Sequence, residues 1–412
     1  MSPRVVVVGA GAAGLMAAIA AREAGAEVTL VEGTAHGGRK ILISGGGRCN
    51  VLPGDAAPDR FVSEAPRSLV RAMLGAWPLR EQVVYFEDVL GVPLALETES
   101  GKRFPASDRA RDVHDALVRR AGDLGVTRRF GTAVRSIEPV GAGWRVSAGG
   151  EIDADRVVVA TGGLSVPATG STGFGFDLAR RFGLTVHPTY PALTPLTASP
   201  HRHVALAGIS AAVTIAAGRP GSRDRLVSRG GLLVTHRGYS GPVVLDVSHV
   251  AVRSLLDDPP DARARLRVQW APLDAGGWTR WLGEQRGLVR TAVGRHVPQR
   301  LADALMAEAG VPPDRTCGQL RREERTSLLS ILTEYDLPWT GHEGYRPAEV
   351  TGGGVALEEL HRRTLESRRA PGLHFCGEVL DAFGPIGGHN FQWAWSTGRS
   401  AGLGAARLVP PS

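Results

Sequence analysis

Hydrophobic and polar positions follow three regimes along the chain. Val5 to Val8 are uninterruptedly apolar. Glycine-rich residues follow to Gly14, then small apolar residues to Ala21, a charged turn, and Val28-Thr-Leu-Val31 before Glu32. A short apolar run of this kind suits a strand buried on both faces of a parallel sheet, so the pattern predicts strand, tight turn, helix, strand. Residues 133–160 instead alternate with period two, turn at Gly141–Gly143 and Gly149–Gly150, and return to the apolar strand Val157–Ala160. That is the signature of a small meander. From Tyr190 to Tyr345 the character changes again. Short alternating runs bounded by Gly and Pro between residues 203 and 250 predict antiparallel strands, and residues 261–270, 300–310 and 314–335 carry helical spacing. A last strand, Leu373–Cys376, precedes a helix starting near Gly388. The expected architecture is α/β: residues 1–189 and 346–412 form one Rossmann-type domain, and residues 190–345 are inserted, β-rich first and helical later.

The first turn carries chemistry. Gly9, Gly11 and Gly14 make G-x-G-x-x-G between a strand and a helix that opens on Ala12 and Ala13. The first glycine permits the tight turn, the second lets the backbone approach a pyrophosphate, and the third lets helix and strand pack closely. The helix N-terminus offers free N–H groups to the phosphates. Glu32, ending the second strand, supplies the carboxylate that accepts hydrogen bonds from an adenosine ribose, and it disfavours a 2′-phosphate there. A second glycine-rich stretch follows at once, "GGRKILISGGGRCN". Its Gly38, Gly45, Gly46 and Gly47 can present N–H groups to an anion. Arg39, Lys40 and Arg48 can add positive charge, while Ser44, Cys49 and Asn50 complete the segment. The alternative for this stretch is a surface loop with solvated basic residues.

Composition changes this picture only in part. The 412 residues suffice for more than one domain, and 54 glycines are far more than an average chain carries. The net charge of +7 raises a nucleic-acid reading. However, Lys40 and Lys102 are the sole lysines among 48 basic residues, and the arginines are dispersed in isolated doublets such as Arg128-Arg129, Arg321-Arg322 and Arg368-Arg369. Composition bias explains that pattern, so no nucleic acid is expected. Lys40 in an arginine-dominated chain gives the second loop weight. Three cysteines with no CxxC spacing point away from a disulfide framework or a zinc site, and towards a reducing cytoplasm. Neither a signal peptide nor a membrane span is expected: the charge-free run Val5–Ala21 is short for a span and interrupted by glycines.

The order of fingerprint, acid, meander and a strand closing on Ala160-Thr161-Gly162-Gly163 resembles the FAD-binding domain of glutathione-reductase-like flavoproteins. The blocks "GRKILISGGGRCN", "YPALTPL", "THRGYSGPVVLDVS" and "GLHFCGEVLDAFGPIGGHNFQWAWSTGRSAG" further resemble the HI0933-like family, also labelled YhiN-like, BaiN-like or aminoacetone-oxidase-like NAD(P)/FAD-dependent oxidoreductases. The resemblance covers essentially the whole chain. It implies bound FAD, with Val134 near the adenosine end. The second glycine loop would run along the pyrophosphate to the flavin ring. Gly377, Glu378 and Asp381 would lie at the ribityl chain. Gly387, Gly388, His389, Asn390 and Phe391 would approach the pyrimidine edge, where a helix N-terminus stabilises negative charge. Departures at Ala382, Phe383, Ile386 and His389 mark a divergent subfamily.

The resemblance implies a FAD-dependent oxidoreductase acting on a small organic substrate, one branch of the family reducing carbon–carbon double bonds in steroid-like compounds. No second strand-linked glycine fingerprint is seen, so NAD(P)H is expected only as a transient electron donor. Candidate proton donors are His389 and, in "THRGYSGP", His236 beside Tyr239 and Ser240. For each the competing reading is structural: a wall residue, and a turn shaped by Gly238, Gly241 and Pro242. Cys49 and Cys376 read as small buried residues. A flavoenzyme that modifies RNA and a non-catalytic redox sensor stand as alternatives.

Overall fold

The apolar run near the N-terminus is the centre of the first sheet. In the computed structural model, which describes residues 2–222 and 224–407, strands β1 (Arg4–Val8), β2 (Glu27–Val31), β3 (Thr127–Arg129), β4 (Arg156–Val159) and β5 (Leu373–Phe375) are parallel, in the order β5-β4-β1-β2-β3. Val5 to Val8 are buried on both faces, each worth roughly 1.5–3 kcal/mol relative to exposure. Because β4 and β2 flank β1 on opposite sides, the carboxyl ends of β1 and β4 bound a topological switch point, where such sheets bind ligands. The meander Ser136–Val140, Gly143–Ser147, Glu151–Ala154 leads into β4.

Two helices set the geometry at that switch point. Helix α1 (Ala12–Glu23) is buried around most of its circumference, and α2 (His389–Ala405) lies against it. A Cβ on Gly398 would stand 2.3 Å from the Ala13 carbonyl oxygen, and one on Gly402 would stand 2.2 Å from that of Ala17. The helices therefore touch backbone to backbone, which accounts for part of the glycine surplus. The indole of Trp393 donates to the Gly377 carbonyl (3.1 Å) and that of Trp395 to the Val51 carbonyl (3.0 Å). These bonds fix the start of α2 to the loop after β5 and to the segment after the second glycine loop.

This first unit comprises Met1–Thr189 and Val350–Ser412; the second is Tyr190–Glu349. The second unit is built on an antiparallel sheet, seven-stranded among the described residues. Its long hairpin, Ser210–Gly218 with Leu226–Val234, buries Ala211, Val213, Ile215 and Ala217 on one face and turns the alternate residues outward. Five helices cover or follow it: Pro242–Asp257, Ala275–Glu284, Val289–Gly294, Gln299–Glu308 and Arg322–Thr333.

Three local expectations fail. Residues 242–250 are helical, not strand: Pro242 starts the helix and Val243, Val244, Val247 and Ala251 recur on its buried face. Residues 265–269 are a strand, not helix, because Leu266 and Val268 alternate with outward Arg265 and Arg267 in register with Ala217 and Ile215. The second glycine stretch is no open loop throughout: Arg39–Ile43 forms a helical turn before the glycines.

Candidate functional site

The three glycines of the first turn are each held to a different task. Gly9 has φ of 100°, and a Cβ there would lie 2.4 Å from the Ala160 carbonyl oxygen. A Cβ on Gly14 would collide with the Gly9 carbonyl oxygen at 1.7 Å. Gly11, between them, faces open space, with no atom within 4 Å of its would-be Cβ. Two glycines close the β1–α1–β4 junction and the third leaves a bare face at the helix N-terminus. That is the space a pyrophosphate needs. Glu32 is half-buried and accepts from Ala10 N (2.9 Å) and from Thr34 N and Oγ1 (2.7 and 2.8 Å). Thr132 N donates to the Glu32 carbonyl (2.8 Å), tying the segment that leads to Val134 to the strand end that carries this acid.

The second glycine stretch joins the same region. Gly38 N donates to the Ala10 carbonyl (2.7 Å), and the Ser44 hydroxyl closes the Arg39–Ile43 turn on Ile41 O (2.8 Å). Gly45, Gly46 and Gly47 all have positive φ, of 56°, 68° and 88°, and the latter two have open space on the Cβ side. Cys49, also at positive φ, is fully buried, and burial pushes its thiol up to about 12. It is therefore a packed, protonated thiol. Burial pushes the Cys376 thiol up as well.

Lys40 reaches across the unit. Its Nζ donates to Ser165 Oγ and Glu378 Oε2, both at 2.6 Å. Ser165 Oγ donates to Glu378 Oε1, which also accepts from Thr351 N (2.9 Å). Lys40 and Glu378 are 29% and 18% exposed, so the pair borders solvent or a ligand without being dissolved in water. A Cβ on Gly163 would lie 2.4 Å from Thr351 Oγ1 and 2.8 Å from Glu378 Oε1; one on Gly377 would lie 2.7 Å from the Ala13 Cβ. The ends of β1, β4 and β5 thus bring Gly9, Ala13, Ala160, Gly163, Gly377, Glu378 and Lys40 together. Ser165 and Thr351, absent from the sequence expectations, join them through contacts that no local pattern records.

Other assignments change. The Arg48 guanidinium pairs with Asp108 (2.7 Å) and Glu97 (3.4 Å) and lies 3.8 Å over the Phe104 ring, so its charge is engaged at the surface and is no counter-charge for a diphosphate. Arg39 is exposed on its helical turn. Asp381 is a clamp: Oδ2 accepts from Glu64 N (2.8 Å) and Ser63 Oγ (3.3 Å), and burial raises its pKa. The Asn390 side chain staples the preceding loop, accepting from Gly384 N (2.9 Å) and donating to Gly384 O (3.0 Å). Phe391 stacks on Trp395 at 5.4 Å.

At the start of α2, Gly387 and Gly388 take positive φ, and Gly388 caps the helix. His389 is 5% exposed and T-stacked with Phe61; burial lowers its pKa to about 4. It is neutral near pH 7, so it is no imidazolium acid. Four buried polar atoms on these segments have no partner among the described residues: Asn50 Oδ1, Thr161 Oγ1, His389 Nδ1 and Gln392 Oε1. Native interiors rarely leave such atoms unpaired. Ten further such atoms are spread over the described residues, but these four share the segments bordering the switch point, where a polar ligand extending from the bare Gly11 face to the N-terminus of α2 would supply their partners.

His236 belongs to the second unit. It is an exposed residue of the turn between Leu226–Val234 and Gly238–Ser240, which is held by Thr235 N to Gly238 O (2.8 Å) and by Arg237 N and Gly238 N to Thr235 Oγ1. The turn's buried member is Tyr239, whose hydroxyl meets His203 Nδ1 (3.1 Å). His203 Nε2 meets Glu308 Oε1 (2.9 Å), and the Tyr335 hydroxyl donates to Glu308 Oε2 (2.8 Å). Sequence reasoning missed this network because its contacts join residues 27 to 132 positions apart, which no local pattern records.

Residues 3–404 match the model of the HI0933-like protein Rossmann domain. The chain is similar to the "Ribosomal RNA dihydrouridine synthase" of Escherichia coli, 34% identical over 95% of each chain. It is also similar to the "3-dehydro-bile acid delta(4,6)-reductase" of Clostridium scindens, 30% identical over 98% of this chain and 99% of that protein. Among solved structures, the 3-ketosteroid-delta4-(5alpha)-dehydrogenase of Rhodococcus jostii RHA1 shares the fold, with a TM-score of 0.50 at 16% identity, covering 99% of this chain and 100% of that one.

Proposed function

The chain belongs to the HI0933-like protein family, and from that premise we propose that it is a FAD-dependent reductase of a carbon–carbon double bond conjugated to a carbonyl. One observation carries the cofactor reading: the fingerprint helix α1 and the late helix α2 are locked backbone to backbone, with unpartnered polar atoms on the segments around them. A plain nicotinamide-binding unit uses only the fingerprint half. Bound FAD supplies hydride transfer at its N5 position. The chain's own residues do the rest. The Gly11 face would admit the pyrophosphate, and Glu32 would hold the ribose. The α2 N-terminus presents N–H groups where negative charge accumulates. Lys40 and Glu378 form a neutralised polar pair that would border the cofactor. Phe61, packed against both His389 and Trp393, would keep water from the ring edge.

The bond type rests on the names of the two relatives. Dihydrouridine formation and a delta(4,6)-reduction both saturate a carbon–carbon double bond in conjugation with a carbonyl. Within that bond type, the 34% identity along nearly the full chain favours the uracil ring of an RNA over a steroid-like enone. Anaerobic mixing with NADH or NADPH should bleach the flavin absorbance, and a uridine-containing oligonucleotide or a conjugated enone should restore it. If neither acceptor reoxidises the reduced flavin, the reductase reading fails.

A further inference from the structure

The arginines look dispersed in sequence, but the fold gathers four of them. Leu360 and Ser367 bridge antiparallel, and the chain between them turns tightly, with Leu365 at φ of 54° and its N–H donating to His361 O (2.7 Å). The turn exposes Arg362 and Arg363. Arg368 follows it, oriented by Nε donating to Glu358 O (3.0 Å), and Arg407 stands just beyond the end of α2. Together they line an open cleft of about 730 Å³, shared with His361 and Thr364. Its one carboxylate, Glu366, is turned to Gly372 N (2.7 Å).

The surroundings make this cluster unusual. Several surface arginines elsewhere face acids, such as Arg4 with Asp155, Arg71 with Asp59 and Arg145 with Asp153, and those without an acid among the described residues, such as Arg280 and Arg286, do not share a cleft with three others. Among the described residues no carboxylate pairs with Arg362, Arg363 or Arg407. Like charges held together without counter-charges repel, and an open cleft with this lining offers little to an apolar ligand. What it does offer is several guanidinium forks at once, the geometry that phosphates accept.

We propose that this cleft docks the phosphodiester backbone of RNA, a proposal that rests on the RNA branch of the reading above. It is an anchoring surface, not part of the reacting centre. Helix α2 has its N-terminus at the cofactor end and its C-terminus at the cleft, and its 17 residues put the two about 25 Å apart. Contact there recognises phosphate, not base sequence, so it holds the flanking strand of a large RNA while a distant base reacts.

The test uses FAD-loaded protein and a fluorescein-labelled single-stranded RNA oligonucleotide, with binding followed by polarisation across a salt series. The double variant R362E/R363E should bind on the order of tenfold more weakly, and the slope of log affinity against log salt should fall by about 1.4. The control R280E/R286E, with the same change in charge on exposed residues of the second unit, should stay within twofold of the parent. Equal weakening in both doubles, or no weakening in R362E/R363E, overturns the proposal, as does an unaltered protein that binds no RNA. Reoxidation of the reduced flavin by a uridine trinucleotide, too short to reach the cleft, separates the two readings. If it proceeds while the cleft variants bind RNA normally, only the docking proposal fails. If no uridine-containing RNA reoxidises the flavin, the RNA branch itself fails.

Discussion

The two units leave equal numbers of buried polar atoms unpartnered among the described residues, seven each, and differ in where those atoms lie. In the second unit, His203, Glu308, Tyr239 and Tyr335 satisfy one another in a closed network. The unpartnered nitrogens of that unit include members of its aromatic packing, such as those of Trp278 and His296, whose rings lie 5.0 Å apart. In the first unit, four of the seven, on Asn50, Thr161, His389 and Gln392, sit on segments that border one switch point; the others belong to Gln82, Arg103 and His374. A satisfied network specifies a fold, whereas converging unsatisfied groups mark a place where a polar ligand supplies the missing partners. Under the proposed function, the four clustered atoms of the first unit mark the cofactor's place, and the closed His203 network of the second is architecture.

The largest expected effect separates two glycines three residues apart. Gly14→Val drives a side chain into the Gly9 carbonyl and should prevent folding, read as loss of soluble protein and of a cooperative melt. Gly11→Val points into open space, so it should melt like the parent and yet lose FAD by on the order of 100-fold in affinity, about 2.7 kcal/mol. A Gly11→Val protein with parental FAD affinity would break the comparison at its strongest point.

Acid should come next. His389 and His249 are both held neutral by burial, with pKa lowered to about 4. Their contribution is complete above the unfolded value of about 6.5 and is lost as pH falls from there to about 4. Each costs on the order of 3 kcal/mol across that window. Buried His374 shifts in the same direction, while Asp381, raised by burial, eases its own penalty on acidification and offsets part of the loss. Melting temperature followed from pH 7 to pH 4 should fall steeply, and a flat profile would contradict the burial argument.

A paired substitution sharpens the contrast further. Tyr335→Phe removes a donor from Glu308 and should cost roughly 1–3 kcal/mol of stability with FAD content unchanged. Lys40→Met should do the reverse, weakening FAD on the order of tenfold, about 1.4 kcal/mol, with little change in melting. Titration of each apoprotein with FAD, beside a denaturant melt, reads both effects. The smallest effect belongs to Arg48→Ala. Its ion pairs are exposed and screened, so FAD affinity should stay within twofold of the parent. A larger loss would return that arginine to the cofactor.

What the sequence made legible was local. The strand–turn–helix of residues 4–23, with its three glycines, follows from contiguous residues, as does the acid closing the next strand. The period errors at 242–250 and 265–269 arose where valine-rich or arginine-rich stretches fit either template and tertiary packing chose between them. The Lys40–Glu378 pair spans 338 residues, so only one end of it stood out, as an odd lysine. The backbone contacts of Gly398 and Gly402 and the arginine cleft depend on which helix lies against which loop, and no spacing rule contains that.

The central claim is that the first unit binds FAD in its β1–α1–α2 cradle, and the absorbance spectrum of purified protein titrated with FAD tests it most directly. The account predicts saturable, stoichiometric flavin bands whose shape differs from that of free FAD. Bands identical to free FAD that wash away on gel filtration would contradict it.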